Sequence, residues 1–132
     1  GRTFIKPTQK ERESAVHLKL SVLSSVVKGK RLVLIDDSIV RGTTMASLIR
    51  MLKDAGATEV HVRISSPPFL FPCYYGTDVP SNDQLIASSH TAAEICASIG
   101  ADSLGYMKLE DLKQMTGDLP LCKACFDSHY PV

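Results

Sequence analysis

The first clear pattern along the chain is an unbroken apolar run, Leu32–Ile35, set between Arg31 and Asp36. A run with no polar alternation suits a buried strand of a parallel sheet. Over Thr44–Ala55 the period changes to that of a helix, with Leu48, Ile49 and Leu52 on one face and Gly56 as the stop. Glu59–Ile64 then alternates, placing Val60, Val62 and Ile64 on one side of a second strand. Strand, helix and strand make a βαβ unit of about 30 residues, with a right-handed crossover expected. Farther along, the pattern predicts a helix over Thr91–Ile99 ended by Gly100, and a short strand near Ser103–Met107. A short helix over Glu110–Met115 is stopped by Gly117. Pro67, Pro68 and Pro72 keep Ser65–Pro72 extended, and Tyr75–Asp78 and Pro80–Asp83 read as turns. There is no internal repeat. This is an α/β pattern with a parallel sheet, short of strands for a complete open sheet, so further strands are expected upstream of Gly1.

Composition narrows the class. The 132 residues are 44% hydrophobic and 22% charged, as in an ordinary globular domain, and can bury roughly two-thirds of the unfolded chain's surface. A net charge of +1 argues against a nucleic-acid binder. No apolar run is long enough for a membrane span, and Gly1-Arg2-Thr3-Phe4 lacks the core of a signal peptide, so a cytoplasmic protein is expected. The charge is unevenly placed. Residues 1–31 carry eight basic side chains against two acids, and the remainder carries seven against twelve. From charge alone this is a solvated N-terminal segment; the functional alternative is a basic flap facing an anion.

The chemistry concentrates after the first strand, in Asp36-Asp37-Ser38-Ile39-Val40-Arg41-Gly42-Thr43-Thr44. Ligands of open α/β sheets bind beyond the carboxyl ends of the strands, where Asp36 and Asp37 fall. Adjacent carboxylates repel unless a cation or hydroxyl donors compensate. Gly42 permits a close turn, the following helix offers free N–H groups to a phosphate, and Thr43 and Thr44 add hydroxyls. Two acids for a polyol followed by an amide cradle suit a sugar phosphate. The plain alternative is a strand-to-helix turn with Thr43 or Thr44 as N-cap. Walker B strands also end in paired acids, but no G-x-x-x-x-G-K-[ST] loop accompanies this one. A response-regulator receiver needs a further aspartate closing a later strand, and Asp78 and Asp83 lie in turn-like sequence.

Val33–Thr44 resembles the phosphoribosyl diphosphate (PRPP) signature of type I phosphoribosyltransferases. Its wording is similar to that of the glutamine phosphoribosyldiphosphate amidotransferase family. Gly1–Ile5, Ser66–Pro68, Pro72–Asp78, Leu85–Ala87 and Cys122–Phe126 extend the likeness in order. The resemblance implies a partial Rossmann-like type I phosphoribosyltransferase fold, truncated on its N-terminal side. It implies transfer of glutamine-derived ammonia to C1 of PRPP, giving 5-phosphoribosylamine and pyrophosphate in the first step of purine synthesis. By the same resemblance, Asp36 and Asp37 hold the ribose hydroxyls and Mg²⁺. Ser38, Val40, Arg41, Gly42, Thr43 and Thr44 bind PRPP, its 5′-phosphate falling to Val40–Thr44. Residues 1–20 become a flexible basic loop closing over substrate, with Lys19 matching a loop lysine that joins Asp36 and Asp37 in the catalytic set; Lys10 and Arg12 are weaker candidates. Purine nucleotide inhibitors are expected to compete at residues 36–44.

Cys122-x-x-Cys125 by itself is compatible with zinc, an iron–sulfur cluster or a redox pair. With Cys73 added, the set resembles the iron–sulfur branch of the family, in which four cysteines hold a four-iron, four-sulfur cluster. Cys73, Cys122 and Cys125 match three ligands, and the fourth is expected upstream of Gly1. Zinc on the same three thiols, with His129, is the alternative. Cys96 does not match and reads as a small buried apolar residue, and His90 precedes or caps the 91–99 helix. The tail over 120–132 is thus a cysteine-bearing appendage. The resemblance places the glutaminase domain and an oligomer in the parent protein, and leaves an isolated chain inactive or weakly active. A non-catalytic PRPP- or nucleotide-sensing module is the competing function class; the cysteine set argues against it.

Overall fold

The computed structural model describes Lys10, residues 24–79 and residues 81–131. A one-turn helix, α1 (Ser24–Val27), leads into β1 (Arg31–Asp36), α2 (Thr43–Asp54) and β2 (Glu59–Ile64). After two 3₁₀ turns, Asn82–Gln84 and Ile86–Ser88, come α3 (Ala92–Ile99), β3 (Ser103–Tyr106), α4 (Asp111–Thr116) and α5 (Ala124–Asp127). The strands form one parallel sheet in the order β1-β2-β3, with Arg31 opposite Glu59 and His61 opposite Ser103. Every regular element expected from the periodicity over 31–117 is present within a residue or two of its expected ends. The helix over 91–99 owes its start to a capping box: the Thr91 hydroxyl accepts from the Glu94 N–H while the Glu94 carboxylate accepts from the Thr91 N–H. His90 is therefore not the cap. Its Nδ1 lies 2.9 Å from the Ser89 hydroxyl.

The even-numbered residues of the strands form the core face. Val60, Val62 and Ile64 are buried there against Met45, Ile49 and Leu52 of α2 and Ile95 and Ile99 of α3. The opposite face corrects the expectation of a buried first strand: Val33 and Ile35 are 65% and 73% exposed. The register puts both on the face away from the core, and among the described residues no layer covers it. An apolar run records that a strand can be buried on both faces, not what covers them. The same face carries a polar chain. Arg31 Nε donates to Glu59 Oε2 at 2.9 Å, and His61 bridges Glu59 (2.6 Å) and the Ser103 hydroxyl (2.7 Å). Arg63 donates to the Ser103 hydroxyl at 2.9 Å.

A second, smaller core of Phe69, Val79 and Leu85 receives Val40 from the loop after β1, and Cys125 and Phe126 from α5. Phe69 and Phe126 meet edge to face, with ring centroids 5.2 Å apart. Cys96 is only half-buried and its thiol donates to the Ala101 carbonyl at 3.3 Å, so it is less enclosed than its apolar neighbours suggested.

Asp102 ties the sheet to α2. Its carboxylate accepts from the Val60 N–H at 2.7 Å and lies 3.3 Å from Lys53 Nζ, which also donates to the Gly100 carbonyl. The Val60 N–H, then Lys53, hold the carboxyl below the ordinary aspartate value. A depressed folded-state pKa stabilises the fold above the unfolded value, and that contribution is lost as pH falls through the folded one. Asp102→Asn should therefore lower the melting temperature at neutral pH, with the gap to wild type closing as pH drops below about 4. Melting curves from pH 7 to pH 3 check this; a pH-independent gap would show that charge is not the cause.

Candidate functional site

The site grows from the carboxyl end of β1. Asp36 closes the strand, its carbonyl accepting from the Ser65 N–H at 2.9 Å, and so fixes where the next residues emerge. The Asp37 N–H donates to Asp36 Oδ1 at 2.8 Å, and the Ser38 hydroxyl donates to Asp37 Oδ1 at 2.9 Å. Both side chains are exposed, neither is ion-paired among the described residues, and each keeps one oxygen free. The two acids face solvent rather than the core.

Beyond them, Ile39 enters the main core, Val40 packs on the second, and Gly42 turns the chain with φ of 84°. The left-handed turn is what allows α2 to begin at once. No side chain caps this helix, and its first turn closes with the Ala46 N–H donating to the Gly42 carbonyl at 2.9 Å. The first amides are therefore left without intrahelical partners, at the positive end of the helix. Thr43 and Thr44 are not the N-cap; both stand exposed in the first turn, free to add hydroxyls to those amides.

These residues line a cleft of about 650 Å³, within the range of small-molecule sites. Asp36, Ser38, Val40, Arg41, Gly42, Thr43 and Thr44 all contribute to it. Asp37 adjoins the cleft through Ser38 without lining it, and the Arg41 guanidinium is bonded to Gln84 Oε1 at 2.7 Å. The facing wall comes from Thr77, Asp78, Val79 and Gln84; sequence reading placed the first two in a turn and gave Val79 and Gln84 no element. Lys19 and Arg12 lie outside the described residues; Lys10 is exposed.

The cysteines gather on the far side of that wall. Cys73 and Val79 form an isolated antiparallel bridge, the Cys73 N–H donating to the Val79 carbonyl at 3.0 Å. The N–H groups of Tyr75, Thr77 and Gly76 favour the Cys73 thiolate and lower its pKa. The Leu70 and Phe71 N–H groups both donate to the Cys125 carbonyl. Tyr130 donates to the Pro72 carbonyl, and Tyr75 to the Pro131 carbonyl, closing the tail over the 70–79 segment. Burial pushes the Cys125 thiol up, and the neighbouring Cys73 and Cys122 push it further. Cys73 and Cys122 are near enough to raise the Cys125 pKa by their charge, but among the described residues the three are not grouped as a metal site, and His129 turns to Asp127.

Among the described residues no group of three or more His, Cys, Asp or Glu side chains is placed to hold a metal ion. Mg²⁺ does not require one, since it is commonly held by one or two carboxylates with water and substrate phosphates, and the free oxygens of Asp36 and Asp37 fit that mode. A four-iron cluster takes one thiolate at each of its irons, so Cys73, Cys122 and Cys125 fit it in donor type.

Comparison with known proteins gives a consistent result. The model of the phosphoribosyl transferase domain matches residues 3–65. The chain is 52% identical over 134 residues to an amidophosphoribosyltransferase of Synechocystis, a match covering 100% of this chain and 27% of the relative. It is 54% identical to the Methanocaldococcus jannaschii protein of that name, across 99% of this chain and 28% of the relative. Among solved structures it resembles a glutamine PRPP amidotransferase from B. subtilis complexed with ADP and GMP, with a TM-score of 0.77 and 45% identity. That match covers 99% of this chain and 30% of the other. The chain therefore spans under a third of the length of these relatives.

Gly42 carries the turn between the acids and the helix. A Cβ there would sit 3.4 Å from Ile86 and 3.5 Å from Ile99, so space is adequate and the cost comes from the positive φ. Gly42→Ala should destabilise the fold by about 1 kcal/mol, read as a lowered denaturation midpoint.

Proposed function

This chain belongs to the amidophosphoribosyltransferase family, corresponding to part of its phosphoribosyltransferase region, and on that premise we propose that the cleft after β1 binds PRPP for attack by ammonia at C1. The supporting observation is the single loop that joins two exposed carboxylates at a strand end to an uncapped helix start six residues beyond Asp37. The first half suits ribose hydroxyls and the second a 5′-phosphate. Ligands of this fold class sit in that position, beyond the carboxyl ends of the strands.

In the reaction the C1–O bond to pyrophosphate breaks and a C1–N bond to ammonia forms, giving 5-phosphoribosylamine once the nitrogen loses a proton. Positive character develops at C1 and negative charge on the departing group. Asp36 and Asp37 accept hydrogen bonds from the ribose hydroxyls, and their charge favours the cationic ring. The amides of Val40–Thr44 and the Thr43 and Thr44 hydroxyls hold the 5′-phosphate, orienting C1 toward the nucleophile. Mg²⁺ bound by Asp36 and Asp37 with diphosphate oxygens would stabilise the leaving group. Lys19 is assigned to a basic segment that meets the diphosphate, excluding water that would compete with ammonia. Ammonia is supplied by a glutaminase domain of the complete, oligomeric protein.

A nucleoside monophosphate shares the ribose 5-phosphate half of PRPP. We assign purine nucleotides to the same loop as competitive inhibitors; the structural relative complexed with ADP and GMP supports nucleotide recognition by this fold. Cys73, Cys122 and Cys125 would supply three thiolates to an iron–sulfur cluster, whose role would be to bind the tail to the 70–79 segment.

Replacing Asp36 and Asp37 together by Asn should weaken Mg²⁺–PRPP binding at least tenfold, in line with roughly 1.5–3 kcal/mol for hydrogen bonds to charged groups. Calorimetric titration measures it, and unchanged affinity removes the ribose and metal role. In the complete protein, Cys122→Ser with Cys125→Ser should abolish visible cluster absorbance; a retained brown chromophore would mean the ligands lie elsewhere.

A further inference from the structure

Arg41 stands in the middle of the proposed phosphate loop, beside a glycine at positive φ, where the backbone has least steric restraint. Two bonds restrain it from the side. The Ile86 N–H donates to the Val40 carbonyl at 2.9 Å, and Gln84 Oε1 accepts from Arg41 Nη2 at 2.7 Å. Between them Leu85 is fully buried in the second core. Residues 84–86 thus run beside residues 40–41 and grip one by its backbone and the other by its side chain. Arg41 and Gln84 also line both the main cleft and a smaller adjoining cavity of about 330 Å³, so the pair stands between the two.

We propose that Gln84 is a positioning residue: by holding the Arg41 guanidinium it fixes the loop whose amides receive the 5′-phosphate. This rests on the sugar-phosphate reading of the cleft. The partner's chemistry matters. A carboxamide oxygen accepts the hydrogen bond without cancelling the arginine charge, so Arg41 is fixed in place and still contributes a positive field to an anion. Without that acceptor an exposed arginine samples many rotamers, and the turn at Gly42 loses its lateral restraint. Gln84 itself is not assigned contact with the phosphate.

The test compares two ligands that both reach the acids, only one of which carries the 5′-phosphate that the loop receives. Calorimetry on the complete protein would measure ribose 5-phosphate, which engages the loop as well as the acids, and pyrophosphate with Mg²⁺, which engages the acids without the loop. Gln84→Leu should weaken ribose 5-phosphate binding roughly tenfold, the scale of losing one charge-assisted hydrogen bond. Pyrophosphate affinity should stay within about twofold of wild type. Gln84→Glu keeps the acceptor oxygen but offsets the arginine charge, so its ribose 5-phosphate affinity should fall between those of wild type and the Leu variant. Gln84→Asn is polar but one methylene short of Arg41, and it should repeat the Leu loss even if the Leu variant folds poorly. Wild-type ribose 5-phosphate affinity in the Leu or Asn variant, or equal loss of both ligands, overturns the positioning role. Failure of the wild-type protein to bind ribose 5-phosphate would instead sink the sugar-phosphate reading, and this inference with it.

Discussion

Two adjacent side chains, Ile39 and Val40, pack into different cores, and the rest of the site depends on that division. Ile39 is buried with the α2, α3 and sheet residues, while Val40 rests on the cluster of Phe69, Val79 and Leu85. A loop between a strand and a helix ordinarily has only its ends fixed. Here its middle is pinned on both sides, and Gly42 absorbs the turn that follows. The acids before the pin and the amides after it are consequently held in a set relation.

The small core has a second consequence. Val79 belongs both to it and to the cleft wall, and its carbonyl pairs with the Cys73 N–H. Cys125 and Phe126 pack on the same cluster from the tail. The thiols are thus joined to the facing wall of the cleft by one short segment, residues 73–79, and by the aromatic contacts of Tyr74 with Tyr130 and Phe69 with Phe126. Packing that looks peripheral along the chain sets the width of the pocket.

Electrostatics follows from this placement. The acids lie at the end of a parallel strand and the proposed phosphate cradle at the start of a helix, so opposite charge preferences occupy the two ends of one loop. A ligand that is polyhydroxylated at one end and anionic at the other matches both at once. The exposed apolar residues Val33 and Ile35 sit on the sheet face opposite the helices, away from this loop's packing.

The elements were legible because each carries its own period or punctuation: alternation in Glu59–Ile64, the Leu48, Ile49 and Leu52 face, and Gly100 and Gly117 at helix ends. The motif from Asp36 to Thr44 was legible because a turn alone has no use for paired acids followed by arginine, glycine and two threonines. What local pattern could not encode is what a residue meets. Leu32–Ile35 reads as buried, yet the register leaves its odd positions uncovered among the described residues. His90 reads as a possible cap, but Thr91 and Glu94 complete the box without it. Thr77 and Asp78 read as turn residues and Gln84 only follows a turn, and the long-range packing of Val79 and Leu85 makes them a wall of the cleft. Periodicity and turn chemistry act over a few residues and are written in the sequence; the opposition of residues forty apart, as with Arg41 and Gln84, exists only once the two cores have formed.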